Sequence, residues 1–216
     1  MAGRITGTNP TGRRKRVPRV PWNKGRRIGQ KPALKLSEVR AVRRLLKARA
    51  RLRDRVLFEL AIDSKLRGCD LIGLRCGDVE LPSGEVRTRT SIQQRKTGRA
   101  VRFELSARTR RLLGKWLARP ASRKAEWLFP SERTAGHVTV RQYARLVDSW
   151  IDGIGLDPAL YGTHSLRRTK VAHLYRETRN IRAIQLLLGH SSLEHTVRYL
   201  GFEIEDALSL SEKYDL

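Results

Sequence analysis

The sequence predicts an α+β fold, mainly helical, with a small three-stranded antiparallel sheet. Three observations support that expectation. Apolar residues recur at helical spacing from Val39 to Leu74, from Leu112 to Trp150 and again from Leu166 to Leu200. Between Gly77 and Leu105 the pattern changes to alternation with β-branched residues, among them Val86, Thr88, Thr90 and Ile92. In the last third, Asn and Ser at helix starts and a Gly at a helix end mark out short helices.

The chain has 216 residues, enough for one domain with a sizeable core, or for one domain and an appendage. Its 46 Lys and Arg against 21 Asp and Glu give a net charge of +25, far more than solubility needs. Such an excess implies a polyanionic partner, either nucleic acid or an anionic membrane. No apolar run approaches the roughly 18 residues of a membrane span. The N-terminus lacks the apolar core of a secretory signal. Cys69 and Cys76 do not form a Cys-x-x-Cys pair and read as small core residues of a cytosolic protein.

Residues 1–36 read as a disordered basic arm, and residues 37–216 as the folded domain with a C-terminal tail. Up to Ser37 there are eleven Lys or Arg and no Asp or Glu, which leaves +14 of the total +25 on the remainder. Pro10, Pro18, Pro21 and Pro32 prevent a long helix there. Arg13, Arg14, Lys15, Arg16, Arg26 and Arg27 are the arm's candidates for contact with DNA phosphates.

From Ser37, a plausible N-cap, Val39, Val42 and Leu46 give a first helix. A second, about Leu52 to Asp63, buries Val56, Leu57 and Leu60. Arg67 and Gly68 then precede a short helix with Asp70 in its first turn and Leu71 and Leu74 inward. Gly77 to Leu81, Glu85 to Gln93 and Ala100 to Leu105 are the three expected strands. Arg95-Lys96-Thr97-Gly98-Arg99 joins the last two as a hairpin turn. Ser106 caps a helix whose apolar face is Leu112, Leu113, Trp116 and Leu117. Another helix, Val140 to Ile151, packs Tyr143, Val147 and Trp150. His137 lies in the loop before it and reads as an ordinary loop residue.

Three short helices follow. His164 stands at the start of the first, roughly Ser165 to Thr178, with Arg167 one turn on. Asn180 caps the second, and Gly189 ends it, exposing His190 in the turn. Ser191 and Glu194 form a capping-box pattern for the third, with Tyr199 near its far end. A Tyr, two His and an Arg suit phosphoryl transfer. Arg binds phosphate through its planar fork, His moves a proton near neutral pH, and Tyr can be the nucleophile. Residues Asn180 to Leu200 also fit a helix-turn-helix, with Ser191 to Leu200 as the helix that reads DNA.

His164-x-x-Arg167, then Leu188-Gly189-His190, then Tyr199 resemble the C-terminal motif of the tyrosine recombinase (phage integrase) family. Arg67 and Asp70 match the family's first Arg box, and Lys96 matches the Lys of its β-hairpin. The resemblance covers roughly residues 37–210 and implies a catalytic domain that breaks and rejoins double-stranded DNA. In the roles it implies, Tyr199 attacks a phosphodiester to leave a 3′-phosphotyrosyl bond, and Arg67 and Arg167 hold the non-bridging oxygens. Lys96 protonates the leaving 5′ oxygen, His164 accepts or relays the Tyr proton, and His190 hydrogen-bonds the phosphate. Asp70 orients the set. The resemblance further implies no cofactor and no metal, a homo-oligomer (tetramer) on DNA, and a cytoplasmic protein of bacterial or phage origin. In the family a separate helical DNA-binding domain usually precedes the catalytic one, where this sequence has a basic arm. The acidic tail Phe202 to Leu216 has a short amphipathic stripe at Ile204, Ala207 and Leu208 that can fold back on its own domain; in the family such tails can dock on a neighbouring subunit. Two other functions remain open at this point: a non-catalytic helix-turn-helix regulator, and a type IB topoisomerase-like nicking and closing enzyme.

Overall fold

The computed structural model describes residues 30–123, 125–132, 134–201 and 211–212. The six arm cations named above, and nearly all of the acidic tail, lie outside the described residues. The first elements are α1 (Leu36–Ala48), α2 (Leu52–Ser64), α3 (Gly68–Ile72) and α4 (Cys76–Val79). The sheet is β1 (Arg89–Gln93) and β2 (Ala100–Glu104). Then come α5 (Ala107–Leu117), α6 (Pro120–Arg123), α7 (Val140–Asp152), α8 (Thr163–Thr178), α9 (Ile181–Leu188) and α10 (Leu193–Leu200).

Helix α2 is the centre of the domain, packed against α1, α5 and α8. Its sequence shows no clean apolar stripe because it is buried on nearly every side. The charges this burial encloses are paired. Glu59 takes both Arg43 Nε at 2.8 Å and Arg43 Nη2 at 2.7 Å. Asp63 accepts from Ser106 N at 2.8 Å, from the Thr109 hydroxyl, and from Lys170 Nζ at 2.9 Å. Burial alone would raise the Asp63 carboxyl; these hydrogen bonds and the Lys170 charge outweigh it and hold the group below its usual value. Around α2 the aromatic core is built edge to face, with Phe58 and Trp150 centroids 5.9 Å apart and Tyr143 and Trp150 6.4 Å apart.

The sheet differs from expectation. Among the described residues it has two strands, paired antiparallel with Arg89 opposite Glu104 and Gln93 opposite Ala100. The expected first strand, Gly77 to Leu81, is mostly the short helix α4. Asp78 Oδ2 accepts the Arg75 N–H at 2.7 Å and closes a helical turn, a local bond that wins over the weak alternation of the segment. What remains of strand pairing is a single bridge between Glu80 and Val86.

Two starts also shift. Helix α1 is capped at Lys35, not Ser37, with Glu38 reaching back to the Lys35 N–H at 2.7 Å. The packed domain extends upstream of Ser37: Leu34 is 1% exposed, and its N–H donates to Thr169 Oγ1 at 3.1 Å. Helix α10 is capped by Ser192 rather than Ser191, through His195 N–H to Ser192 Oγ at 3.2 Å. The caps at Ser106 and Asn180 and the left-handed Gly189 stand where the sequence puts them.

Candidate active site

The site forms where four elements end. Arg67 is the N-cap of α3, so its backbone is extended and its side chain leaves the helix start freely. Arg167 lies one turn into α8 and is 4% exposed. Its Nε donates to the Lys65 carbonyl at 2.8 Å and its Nη2 to the Leu188 carbonyl at 3.3 Å. Lys65 can present that carbonyl because it adopts left-handed backbone (φ 58) after α2. The Lys65 side chain, 1% exposed, is neutralised by Glu104, with Nζ 3.0 Å from Oε2.

Gln94, at the end of β1, joins these groups. Its Oε1 accepts from an Arg67 guanidinium N–H and from Thr97 Oγ1 at 2.8 Å, and its Nε2 donates to the Leu188 carbonyl at 3.3 Å. One buried amide therefore connects Arg67, the hairpin turn, the end of α9 and, through the shared carbonyl, Arg167. Asp70, 3% exposed, fixes the hairpin from the other side by accepting the Arg95 N–H at 2.9 Å. Its Oδ2 is buried with no hydrogen-bond partner among the described residues. Lys96 projects from the turn into solvent, near enough to His164 to act on its protonation.

Gly189 (φ 68) ends α9 and turns the chain into His190. The Thr196 hydroxyl donates to the Ser192 carbonyl at 3.3 Å, so its lone pair is open to His190 Nδ1–H, 3.2 Å away. That arrangement leaves Nε2 of His190 as an acceptor. The His190 and Tyr199 rings meet edge to face at 5.3 Å. Tyr199 is bracketed by cations, with the Arg167 guanidinium 5.4 Å and that of Arg168 4.7 Å from the ring centroid. The Tyr199 hydroxyl is buried and has no hydrogen-bond partner among the described residues.

Protonation follows from this setting. Burial and the charges of Arg167 and Arg67 lower His190 to about 4, so it is neutral at pH 7. Burial, then Arg167, Arg168, Arg67 and Lys96, lowers His164 as well. Burial raises the Tyr199 phenol, although the three Arg charges pull the other way, so the phenol holds its proton. The site thus offers two fixed guanidinium groups, two neutral imidazoles and one protonated phenol. The structure brings together Arg67, Asp70, Arg167, His190 and Tyr199, with His164 and Lys96 on the open side.

Sequence reasoning missed four residues here. Gln94 and Thr196 carry no signature, being an amide before a turn and a hydroxyl in a helix. Lys65 gave no sign of its left-handed backbone. Arg168 follows Arg167 directly; it donates to the carbonyls of Tyr199 and of Lys31, the latter at 2.7 Å. His137 is more engaged than a plain loop residue, with Nε2 3.5 Å from Arg95 Nη1 and its ring 4.9 Å from Trp127.

The fold is that of tyrosine recombinase catalytic domains. XerA recombinase superposes with a TM-score of 0.69 at 19% identity, over 86% of this chain and 65% of that one. XerH recombinase, in a pre-cleavage complex with its difH substrate, superposes with a TM-score of 0.66 at 23% identity, over 84% of this chain and 55% of that one. In sequence, the phage integrase family matches residues 35–203. Tyrosine recombinase XerC of Pelobacter propionicus is 30% identical over 163 residues, 75% of this chain and 52% of that protein. The probable integrase/recombinase YoeC of Bacillus subtilis is 27% identical over 175 residues, 80% of this chain and 90% of that protein. The chain spans about half the length of the XerC proteins it matches. It belongs to the phage integrase family, the tyrosine recombinases.

Proposed function

We propose that this chain is a site-specific recombinase that breaks and rejoins duplex DNA through a 3′-phosphotyrosyl intermediate, with Tyr199 as nucleophile. The observation that carries this is the contact of Tyr199 with His190 and Arg167, with Arg167 tied to Arg67 through the Leu188 carbonyl and the buried Gln94 amide. Arg67 and Arg167 bind the non-bridging oxygens and offset the charge that grows on them in the transition state. Asp70 and Gln94 hold these groups and the hairpin in place. The phenol keeps its proton until a base takes it. Neutral His164 and the open Nε2 of His190, whose ring meets that of Tyr199, are the site's candidate acceptors, and the acceptor state of Nε2 favours that role for His190 over donation to the phosphate. Lys96 donates a proton to the departing 5′ oxygen. One phosphoester replaces another, so rejoining is open to the displaced hydroxyl.

Relatives named as recombinases, and solved recombinases titled as complexes with their DNA, support DNA as the partner. The basic arm supplies phosphate contacts. A tetramer on DNA is part of the same proposal. Among the described residues no helix is long and apolar enough to cross a membrane, which fits a cytoplasmic protein.

The test traps protein on a nicked suicide duplex that loses its short 5′ end after cleavage. The unaltered chain should form a detergent-stable adduct, and Tyr199→Phe should bind the same duplex and form none. An adduct that survives in the Phe variant would move the nucleophile to another Tyr, with Tyr175 and Tyr161 next in line.

A further inference from the structure

We propose that the cleft between α1, α2 and α5 is a second binding site for the phosphate backbone of duplex DNA, separate from the candidate active site. The cleft holds about 360 Å³ and is ringed by Arg40, Arg43, Arg44, Lys47, Arg55 and Arg108. Its floor is apolar, formed by Leu46, Phe58 and Leu112. On α1 the four cations fall at i, i+3, i+4 and i+7 and so share one face.

The charge balance of the cleft is one-sided. Glu59 is the carboxylate in its lining, and Arg43 occupies both of its oxygens. Arg40, Arg44, Lys47, Arg55 and Arg108 have no ion-pair or hydrogen-bond partner among the described residues. Like charges three and four residues apart work against a helix, and among the described residues Glu59, held by Arg43, is the carboxylate ion-paired within this set. A run of phosphates would offset the other charges. The planar fork of Arg suits phosphate oxygens, and the stems rest on the apolar floor while the heads ring the mouth. Four of the five unpaired groups are Arg, so the cleft fits oxyanions better than a diffuse field would require.

The site stands apart from the chemistry. No lining residue is one of the candidate active-site residues. Arg55 lies ten positions before Lys65, whose carbonyl holds Arg167, which is roughly 15 Å along the α2 axis. Two sources can supply the phosphates: the same duplex continuing past the active site, or a second duplex. The inference rests on duplex DNA as the partner and not on the strand-transfer step.

The experiment uses the full chain carrying Tyr199→Phe, so that covalent capture does not enter. It compares that chain with one also carrying Arg40→Gln, Arg44→Gln and Arg55→Gln. Binding is measured over a salt series on duplexes of about 12 and about 40 base pairs, with bridging of two differently labelled short duplexes measured in parallel. Each lost phosphate contact removes about 0.9 from the slope of log affinity against log salt, so the triple change should flatten it by roughly 2 to 3 units. Flattening on the long duplex alone assigns the cleft to the flank of the bound DNA. Loss of bridging assigns it to a second duplex. Arg40→Glu alone, at an exposed position, gives an independent reading if the triple variant melts early, and should flatten the slope by at least about one unit. An unchanged slope in both variants overturns the site. Equal flattening on both duplexes with bridging intact would place the cleft inside the active-site footprint and overturn its separateness. Failure of the Tyr199→Phe chain to bind any duplex would overturn both this site and the DNA reading.

Discussion

In the proposed mechanism, Lys96 and His190 divide the chemistry between single side chains. Lys96 stands in the hairpin turn with no partner among the described residues, while its neighbour Arg95 is held by Asp70 at its backbone and faces His137. An Arg keeps its proton, so only Lys96 in this hairpin can release one to a leaving oxygen. Lys96→Ala should therefore slow cleavage of ordinary DNA, and a 5′-bridging phosphorothiolate should restore most of the rate, because a thiolate leaves without protonation. Equal defects on both substrates would reduce Lys96 to a phosphate contact. His190 makes a pH prediction. Its folded value is about 4 against an ordinary 6.5, so the unfolded chain takes up the proton first. The stability this group contributes is complete above about 6.5 and is lost as pH falls toward 4. The melting temperature of His190→Gln should consequently fall less than that of the unaltered chain over that window. Parallel melting curves against pH would remove His190 from the acid response. The site's His, Arg and Tyr were legible in the sequence because each is a distinct chemical type in an ordered series. Gln94 and Thr196 were not, since what they do depends on burial and on partners far away in the chain.

Elements were legible where a local bond decides them. Ser106 and Asn180 cap their helices through Thr109 N–H and Ala183 N–H, and Gly189 ends α9. The failures have the same origin. Asp78 makes a helical turn of an expected strand, and Ser192 displaces Ser191 by one residue because its oxygen meets the His195 N–H. Helices α2 and α8 bury charged faces, so apolar periodicity alone describes them poorly. Gly189 is the element whose replacement tests the site's frame. Its φ is 68, and a Cβ there would come within 2.6 Å of Val101 Cγ2 on β2. Gly189→Ala should cost about 1–2 kcal/mol for the left-handed backbone, before any clash. In the Val101→Ala background, where the clash is absent, Gly189→Ala should cost only the backbone part, so the double variant is compared with Val101→Ala alone. Urea denaturation of the single and double variants measures both, and a Gly189→Ala protein as stable as the parent would contradict the account.

At the scale of the whole molecule, residues 30–34, which the sequence assigns to the arm, are fastened to α8 and to α10, the helix that carries Tyr199. Arg168 donates to the carbonyls of Lys31 and Tyr199, Gln30 Nε2 donates to the Arg198 carbonyl, and His173 Nε2 lies 2.9 Å from the Leu34 carbonyl. We therefore expect the boundary that matters for truncation at Gln30 rather than at Ser37. Residues 1–29 carry nine Lys or Arg and no acidic residue. We expect them to bind phosphates and to add little to the folded core. Removing residues 1–29 should leave the melting temperature nearly unchanged. Removing residues 1–36 should lower it, because Leu34 leaves the core and Arg168 loses the Lys31 carbonyl. With about half of the nine cations engaged at once, loss of the first 29 residues should flatten the salt slope by roughly 4 units. Preference for target over scrambled duplex should change little, because phosphate contacts position a protein without reading bases. The measurement is binding by the three chains across a salt series on both duplexes, with melting curves alongside. An unchanged slope would make the arm a bystander, and a loss confined to the target duplex would make it a reader of sequence.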